Sequence, residues 1–214
     1  MVTTRPEGSA RDRLLAAANE LFYEEGVHTV GIDRVIERAG VAKASLYSTF
    51  GSKEELVRAY LMGRAEARRQ RMSQRIARHD NPRDRILGLF DLLGEVAATP
   101  AYRGCAFINA SAEGPRGETK VTKVCTDSRA WVRDLFIELA RDFGADDPEE
   151  LGRQLVLLYD GATVAASMDR DLGAAAEART MAAALLDARA PAASRTPSTA
   201  TQSRANRRRA RAAK

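Results

Sequence analysis

Residues 30–60 read VGIDRVIERAGVAKASLYSTFGSKEELVRAY, and this stretch decides the fold of the first third of the chain. Its first half spaces apolar residues at i, i+3, i+4 and i+7, as one face of an amphipathic helix does: Ile32, Val35, Ile36 and Ala39. Gly40 ends that helix, because glycine adopts a positive φ at little cost. Leu46 and Phe50 then lie one turn apart on a second short helix. This pattern is typical of a helix-turn-helix unit, whose second helix enters the DNA major groove.

The next helix begins at Lys53, where Ser52 and Glu55 form the pattern of a capping box. We expect it to run to about Arg78. Its second half is rich in arginine, at positions 64, 68, 69, 71, 75 and 78. Because charge runs usually face solvent, we favour a solvated helix face over DNA contact for these side chains.

Residues from about Ser9 to Leu61 resemble the DNA-binding domain of the TetR (tetracycline-repressor-like) family of bacterial transcription regulators. The resemblance rests on four motifs in order: LFYEEG at 21–26, AGVxK at 39–43, LYxxF at 46–50 and SKEEL at 52–56. The chain departs from the family pattern at Gly31 and Ala42, where such sequences usually have a hydroxyl side chain. It also departs at Ser48 and Thr49, where they often have His and Tyr. Ala42 removes a helix cap worth about 1 kcal/mol. The alternative is a set of ordinary helices in an all-α core.

The resemblance implies which residues contact DNA. The recognition helix would carry Lys43, Ser45, Tyr47, Ser48 and Thr49, with Lys43 at the end that reaches base edges. The Tyr47 hydroxyl and the Lys53 ammonium suit phosphate, whose contacts set register rather than sequence. Tyr47 has a second interpretation, as a partly buried spacer.

Composition and length predict an ordinary globular protein with one or two domains. The chain has 214 residues and no run of eighteen apolar ones, so we expect no membrane span. Its first residues lack the apolar stretch of a signal peptide, so we expect a cytoplasmic protein. Cys105 and Cys125 fit free thiols packed as small apolar residues, and redox sensing is the less common alternative.

The positive charge is concentrated at one end of the chain. Seven of the 34 basic residues and none of the 29 acidic ones lie in 191–214, so residues 1–190 carry a net charge of −2. The segment 191–214 has no large apolar residue, so we expect a disordered basic tail.

The whole chain is predicted to be all-α, with about nine helices. We divide it into a helix-turn-helix DNA-binding domain at 9–69, with the motif at about 32–51, a ligand-binding and dimerisation domain at 70–190, and the tail. No catalytic constellation, phosphate-binding loop or cofactor motif appears, so an all-helical enzyme is the weakest of our hypotheses. His28 and His79 lack companions at ligand spacing, so we expect no metal site.

The segment 103–113 reads RGCAFINASAE and resembles the RGCxFxNAxxE stretch of one branch of TetR-like regulators. Asn109 and Glu113 would orient a ligand there or join helices in a structural hydrogen-bond network. Pockets for small ligands are mostly apolar with a few polar groups. The candidate ligand-binding residues are therefore Phe90, Phe107, Asn109, Glu113, Trp131 and Tyr159. The alternative for the aromatic residues is that they form a solid core.

The helix predicted at 148–169 carries two apolar stripes, so it is buried on two sides. One side would face its own domain and the other a second copy of the chain. The alternative is a fully internal helix in a monomer. The candidate dimer residues are Leu157, Gly161, Val164 and Met168, with Met181 and Leu185 from the last helix.

By resemblance, the chain is a one-component transcription regulator. We expect a homodimeric repressor that a small apolar effector releases from a palindromic operator in double-stranded DNA. The alternative is a non-sensing or architectural DNA-binding protein whose basic tail dominates affinity.

Overall fold

The computed structural model of the chain describes residues 8–114, 117 and 119–189. This part contains nine helices and no strand, which confirms the all-α prediction. The helices are α1 Ala10–Glu25, α2 Ile32–Ala39, α3 Lys43–Phe50, α4 Lys53–Ile76, α5 Pro82–Ala97, α6 Ala106–Glu113, α7 Lys120–Phe143, α8 Pro148–Met168 and α9 Ala174–Arg189. The predicted basic tail, 191–214, lies outside the described residues.

Local signals begin the helices largely as the sequence predicts. Asn81 and Asp147 cap α5 and α8, each followed by proline at the first helical position. At α4 the Ser52 hydroxyl accepts a hydrogen bond from the Glu55 N–H at 3.2 Å. The predicted capping box is incomplete, because the Glu55 carboxylate instead pairs with Arg58 and with Lys120 of α7.

The buried apolar residues of the described part of the chain form two cores. The first joins α1, α2, α3 and the first half of α4, and the second joins α5, α7, α8 and α9. Helix α4 contributes to both, because Ala65 lies in the first core and Met72 in the second. Phe107 of α6 and Cys125 of α7 pack in the first core. The two halves of the molecule are therefore joined by packed side chains as well as by α4.

Within the described residues, no helix combines the length and the apolar character needed to cross a bilayer.

Candidate nucleic-acid interface and effector cavity

Helices α2 and α3 form a helix-turn-helix whose inner faces are buried and whose turn contains a left-handed glycine. Gly40 adopts φ 60° and ψ 43°, the left-handed conformation that ends α2 without a Cβ clash. Leu46 of α3 is fully buried in the first core. Because Leu46 fixes the inner face of α3, the residues on its other faces point outward.

The predicted recognition residues lie on α3 with most of their side chains in solvent. Lys43, Tyr47, Ser48 and Thr49 are exposed, and Ser45 is half-buried. Tyr47 is 47% exposed, which disfavours its interpretation as a buried spacer. The hydroxyls of Ser48 and Thr49 donate to the Ser45 carbonyl at 3.1 and 2.6 Å. Their lone pairs can still accept a hydrogen bond from a base or from water.

Lys43 begins α3 and pairs with Asp33 of α2, its Nζ 2.9 Å from the carboxylate oxygen. The hydrogen bond to Asp33 raises the pKa of Lys43. Both side chains are exposed, and exposed ion pairs are weak. A DNA phosphate or base can therefore replace Asp33 as the partner of Lys43.

The Lys53 side chain is less available for DNA contact than the α3 side chains, because it already has a protein partner. Its Nζ donates to the His28 carbonyl at 3.4 Å, and its side chain is half-buried. Burial lowers the pKa of Lys53, and the nearby Glu113 carboxylate opposes that effect. The ammonium thus links the start of α4 to the turn after α1.

Residues before and within α6 form hydrogen bonds with the end of α1 and with the turn that follows it. The Tyr23 hydroxyl donates to the Gly104 carbonyl at 2.9 Å and accepts from the Arg103 N–H at 3.0 Å. The Glu113 carboxylate accepts from the His28 N–H at 2.9 Å. It lies so close to Gly26 that a Cβ there would be 2.7 Å from Oε2. These contacts form a polar joint between the two halves of the molecule.

The two polar residues predicted to orient a ligand both have protein partners. The Asn109 side-chain amide donates to the Arg103 carbonyl at 2.9 Å, which closes the loop before α6. Glu113 belongs to the joint with His28. Neither residue lines the cavity described next, so these contacts favour the structural-network interpretation of both side chains.

A cavity of about 360 Å³ lies between α4, α5, α6, α7 and α8, beside Tyr23 of α1. Of the predicted ligand residues, Phe107 and Tyr159 line it. Phe90 does not line the cavity, but its ring packs against the lining residue Tyr159, with the two ring centroids 5.9 Å apart. Trp131 packs against the second core under the Arg69 guanidinium.

Sequence reasoning missed several cavity residues. The sequence predicts the helices that carry most of these residues. It does not show which faces of those helices pack against one another to enclose a cavity. The polar ones among them are Tyr23, Arg64, Arg68, Arg71, Tyr102, Ser111, Arg129, Asp160 and Thr163. Cys105 and Cys125 also line the cavity, and burial raises the pKa of the Cys125 thiol. Among the described residues, no group of three His, Cys, Asp or Glu side chains could hold a metal ion.

The second apolar stripe of α8 faces outward. Leu157 and Met168 are 73% and 77% exposed, and Gly161 and Val164 are exposed between them. On α9 Met181 is exposed and Leu185 is half-buried. Thus the candidate dimer residues of α8 form an uncovered apolar strip along one helix.

Comparison with known proteins agrees with this geometry. The family model described as "Bacterial regulatory proteins, tetR family" matches residues 14–60, which span α1 to the start of α4. A TetR-family transcriptional regulator from Streptomyces coelicolor superposes with a TM-score of 0.81 at 31% identity, covering 85% of this chain and 96% of that one. A TetR-type regulator structure from Streptomyces avermitilis has a TM-score of 0.73 at 32% identity, covering 85% and 98%.

Two curated relatives match over shorter lengths. The activator FasR of Mycolicibacterium smegmatis is 30% identical over 146 residues, 66% of this chain and 64% of FasR. The repressor NemR of Escherichia coli K12 is 31% identical over 109 residues, 50% of this chain and 55% of NemR. The chain thus spans a little over half of the length of these two regulators. With the S. coelicolor regulator matched at 31% identity over 96% of its length, this chain belongs to the TetR family of bacterial regulatory proteins.

Proposed function

We propose that the protein is a DNA-binding transcription regulator that reads its operator with α3. The observation that carries this proposal is the outward face of α3, where Lys43, Tyr47, Ser48 and Thr49 surround a fully buried Leu46. A helix anchored in this way enters the major groove as a rigid unit. Lys43 and the α3 hydroxyls would contact bases, and Tyr47 would contact phosphate.

The exposed strip on α8 supports a homodimer. Leu157, Val164 and Met168 leave apolar side chains in water, which a second copy of the same strip would cover. A two-fold axis there would place two α3 helices on a palindromic operator, on half-sites about 34–36 Å apart.

A small, mostly apolar effector in the cavity would control DNA binding. Its wall includes Phe107 of α6, and the same helix ends at Glu113 in the joint with the DNA-binding half. A ligand that prefers the DNA-incompetent arrangement would shift the population away from the operator. FasR is named an activator and NemR a repressor. Repression by this chain therefore stays a prediction. Its location in the bacterial cytoplasm is a prediction as well.

Footprinting tests the proposal against an architectural role. We expect protection of one short palindrome upstream of a gene near the regulator's own, and loss of that protection when an effector fills the cavity. Uniform coating of DNA with no preferred site would contradict the regulator and support the architectural alternative, in which the basic tail dominates affinity.

A further inference from the structure

The wall of the cavity carries an excess of positive charge. Among the described residues that line it are four arginines and one acid, Asp160. Asp160 pairs with Arg129 of α7. The other three arginines, Arg64, Arg68 and Arg71, lie on one face of α4, and none of them pairs with a carboxylate in the described part of the chain.

Arg68 is the most deeply placed of these cations. Its Nη2 donates to the Ser128 carbonyl at 2.8 Å and to the Ser128 hydroxyl, and its guanidinium lies 4.5 Å from the centre of the Phe107 ring. Its Nε is buried and has no hydrogen-bond partner among the described residues. The expectation of a solvated face is therefore wrong for Arg68, because α6 and α7 cover that side of α4.

Partial burial of a cation that makes no ion pair is costly, and the nearby Asp160 carboxylate compensates the Arg68 charge only through space. Burial lowers the pKa of Arg68, which reflects this cost. The guanidinium still stays charged, because its pKa in water is far above neutrality. An anion bound beside the guanidinium in the cavity would offset the cost.

Tyr159 of α8 supplies a second donor beside Arg68. Its hydroxyl has no hydrogen-bond partner in the described residues. Burial raises the pKa of Tyr159 to about 12, although the Arg68 charge acts in the opposite direction. The hydroxyl is therefore protonated at neutral pH. Its ring is held by Phe90 and Phe136, with centroids 5.9 and 5.7 Å away.

The rest of the cavity suits an apolar body. Its side chains include Met72, Leu92, Leu93, Val96, Val132 and Val156. The volume of about 360 Å³ is at the small end of the range for ligand pockets, roughly 300–1,000 Å³. A small ligand with one charged end matches both features.

We propose that the cavity binds a small organic carboxylate, its anionic end held by the Arg68 guanidinium and the Tyr159 hydroxyl and its apolar body packed between α4, α5 and α7. Arginine suits this role because its Nη1 group donates to no described residue and a hydrogen bond from a guanidinium to a carboxylate is strong. The assignment rests on the proposed effector function of the cavity and specifies the chemical class of the effector.

Calorimetric titration of the full chain with matched probes tests the assignment. The carboxylates are decanoate, octanoate and phenylbutyrate, and decanol and decylamine are the neutral and cationic counterparts of decanoate. We expect at least one carboxylate to bind, about tenfold or more tighter than its alcohol, and decylamine to bind more weakly still. Equal affinity for decanoate and decanol, or no binding of any carboxylate, would overturn the assignment.

Single substitutions locate the anion. Arg68→Gln is expected to weaken carboxylate binding about 10- to 100-fold and to leave decanol binding unchanged. Arg78→Gln makes the same chemical change on an exposed residue just after α4. It should change neither carboxylate binding nor decanol binding. Tyr159→Phe removes only the hydroxyl, so it tests the site even if Arg68→Gln does not fold. We expect it to weaken carboxylate binding about threefold to tenfold. Unchanged carboxylate affinity in both Arg68→Gln and Tyr159→Phe would contradict the site.

Operator release separates this inference from the proposed function. A carboxylate that binds through Arg68 without weakening the operator complex would support the anion site and contradict the effector role. Release by decanol at concentrations where no carboxylate binds would support the effector role and contradict the anion site.

Discussion

The carboxylate of Glu113, at the end of α6, accepts a hydrogen bond from the backbone N–H of His28 at 2.9 Å. These residues lie 85 positions apart in the chain and belong to different halves of the molecule. The neighbouring Gly26 leaves room for the carboxylate, because a side chain there would overlap Oε2. The contact makes the position of α6 depend on the turn before α2.

Glu113→Ala should destabilise the protein by about 1–2 kcal/mol, because the His28 N–H loses its charged acceptor. Glu113→Gln keeps an acceptor oxygen in the same place and should stay closer to the unchanged protein. Urea unfolding measures both. Unchanged stability of Glu113→Ala would show that the His28 hydrogen bond contributes nothing. Glu138→Ala, an exposed change on α7, is the control.

Val164→Arg should convert the proposed dimer to a monomer. The substitution would place a charge in the apolar strip of α8, where it would be buried without a partner. Sedimentation velocity gives the oligomeric state, and operator affinity should fall steeply with it. Ser73→Arg adds the same side chain to an exposed site on α4 and should leave both unchanged. A dimeric Val164→Arg variant with normal operator affinity would contradict this interface.

Lys43→Ala and Tyr47→Phe should weaken DNA binding in different ways. Loss of the Lys43 cation should cost about 1–3 kcal/mol on the operator and relax its specificity, if Lys43 reads a base. Loss of the Tyr47 hydroxyl should weaken binding to all sequences alike, since phosphate contacts are sequence-independent. Titrations with operator and scrambled DNA measure both effects. Lys123→Ala, which breaks the comparable exposed pair with Asp127 on α7, should change neither.

Removal of residues 191–214 should reduce the salt dependence of DNA binding and leave the footprint unchanged. Each phosphate neutralised by an arginine contributes about −0.9 to the slope of log K against log salt concentration. Binding isotherms at several salt concentrations give that slope. A truncated chain that keeps the slope but loses its preferred operator would show that the tail reads sequence.

Local sequence alone predicted the helices and several of their ends. The apolar spacing of 32–39, the glycine at 40 and the caps at Ser52, Asn81 and Asp147 act within a few residues of the helices they define, so they can be read without knowledge of the fold. The family resemblance also came from such local motifs, and the family comparisons confirm it.

Tertiary structure decided what the helix faces meet. The sequence shows arginines at 64, 68 and 71 on one face of a helix, but only the packing of α6 and α7 against α4 covers Arg68 and makes it part of a cavity. In the same way, Glu113 has no local partner and finds His28 through the fold. Contacts between residues far apart in the chain leave no periodic pattern, because they depend on the relative placement of whole helices.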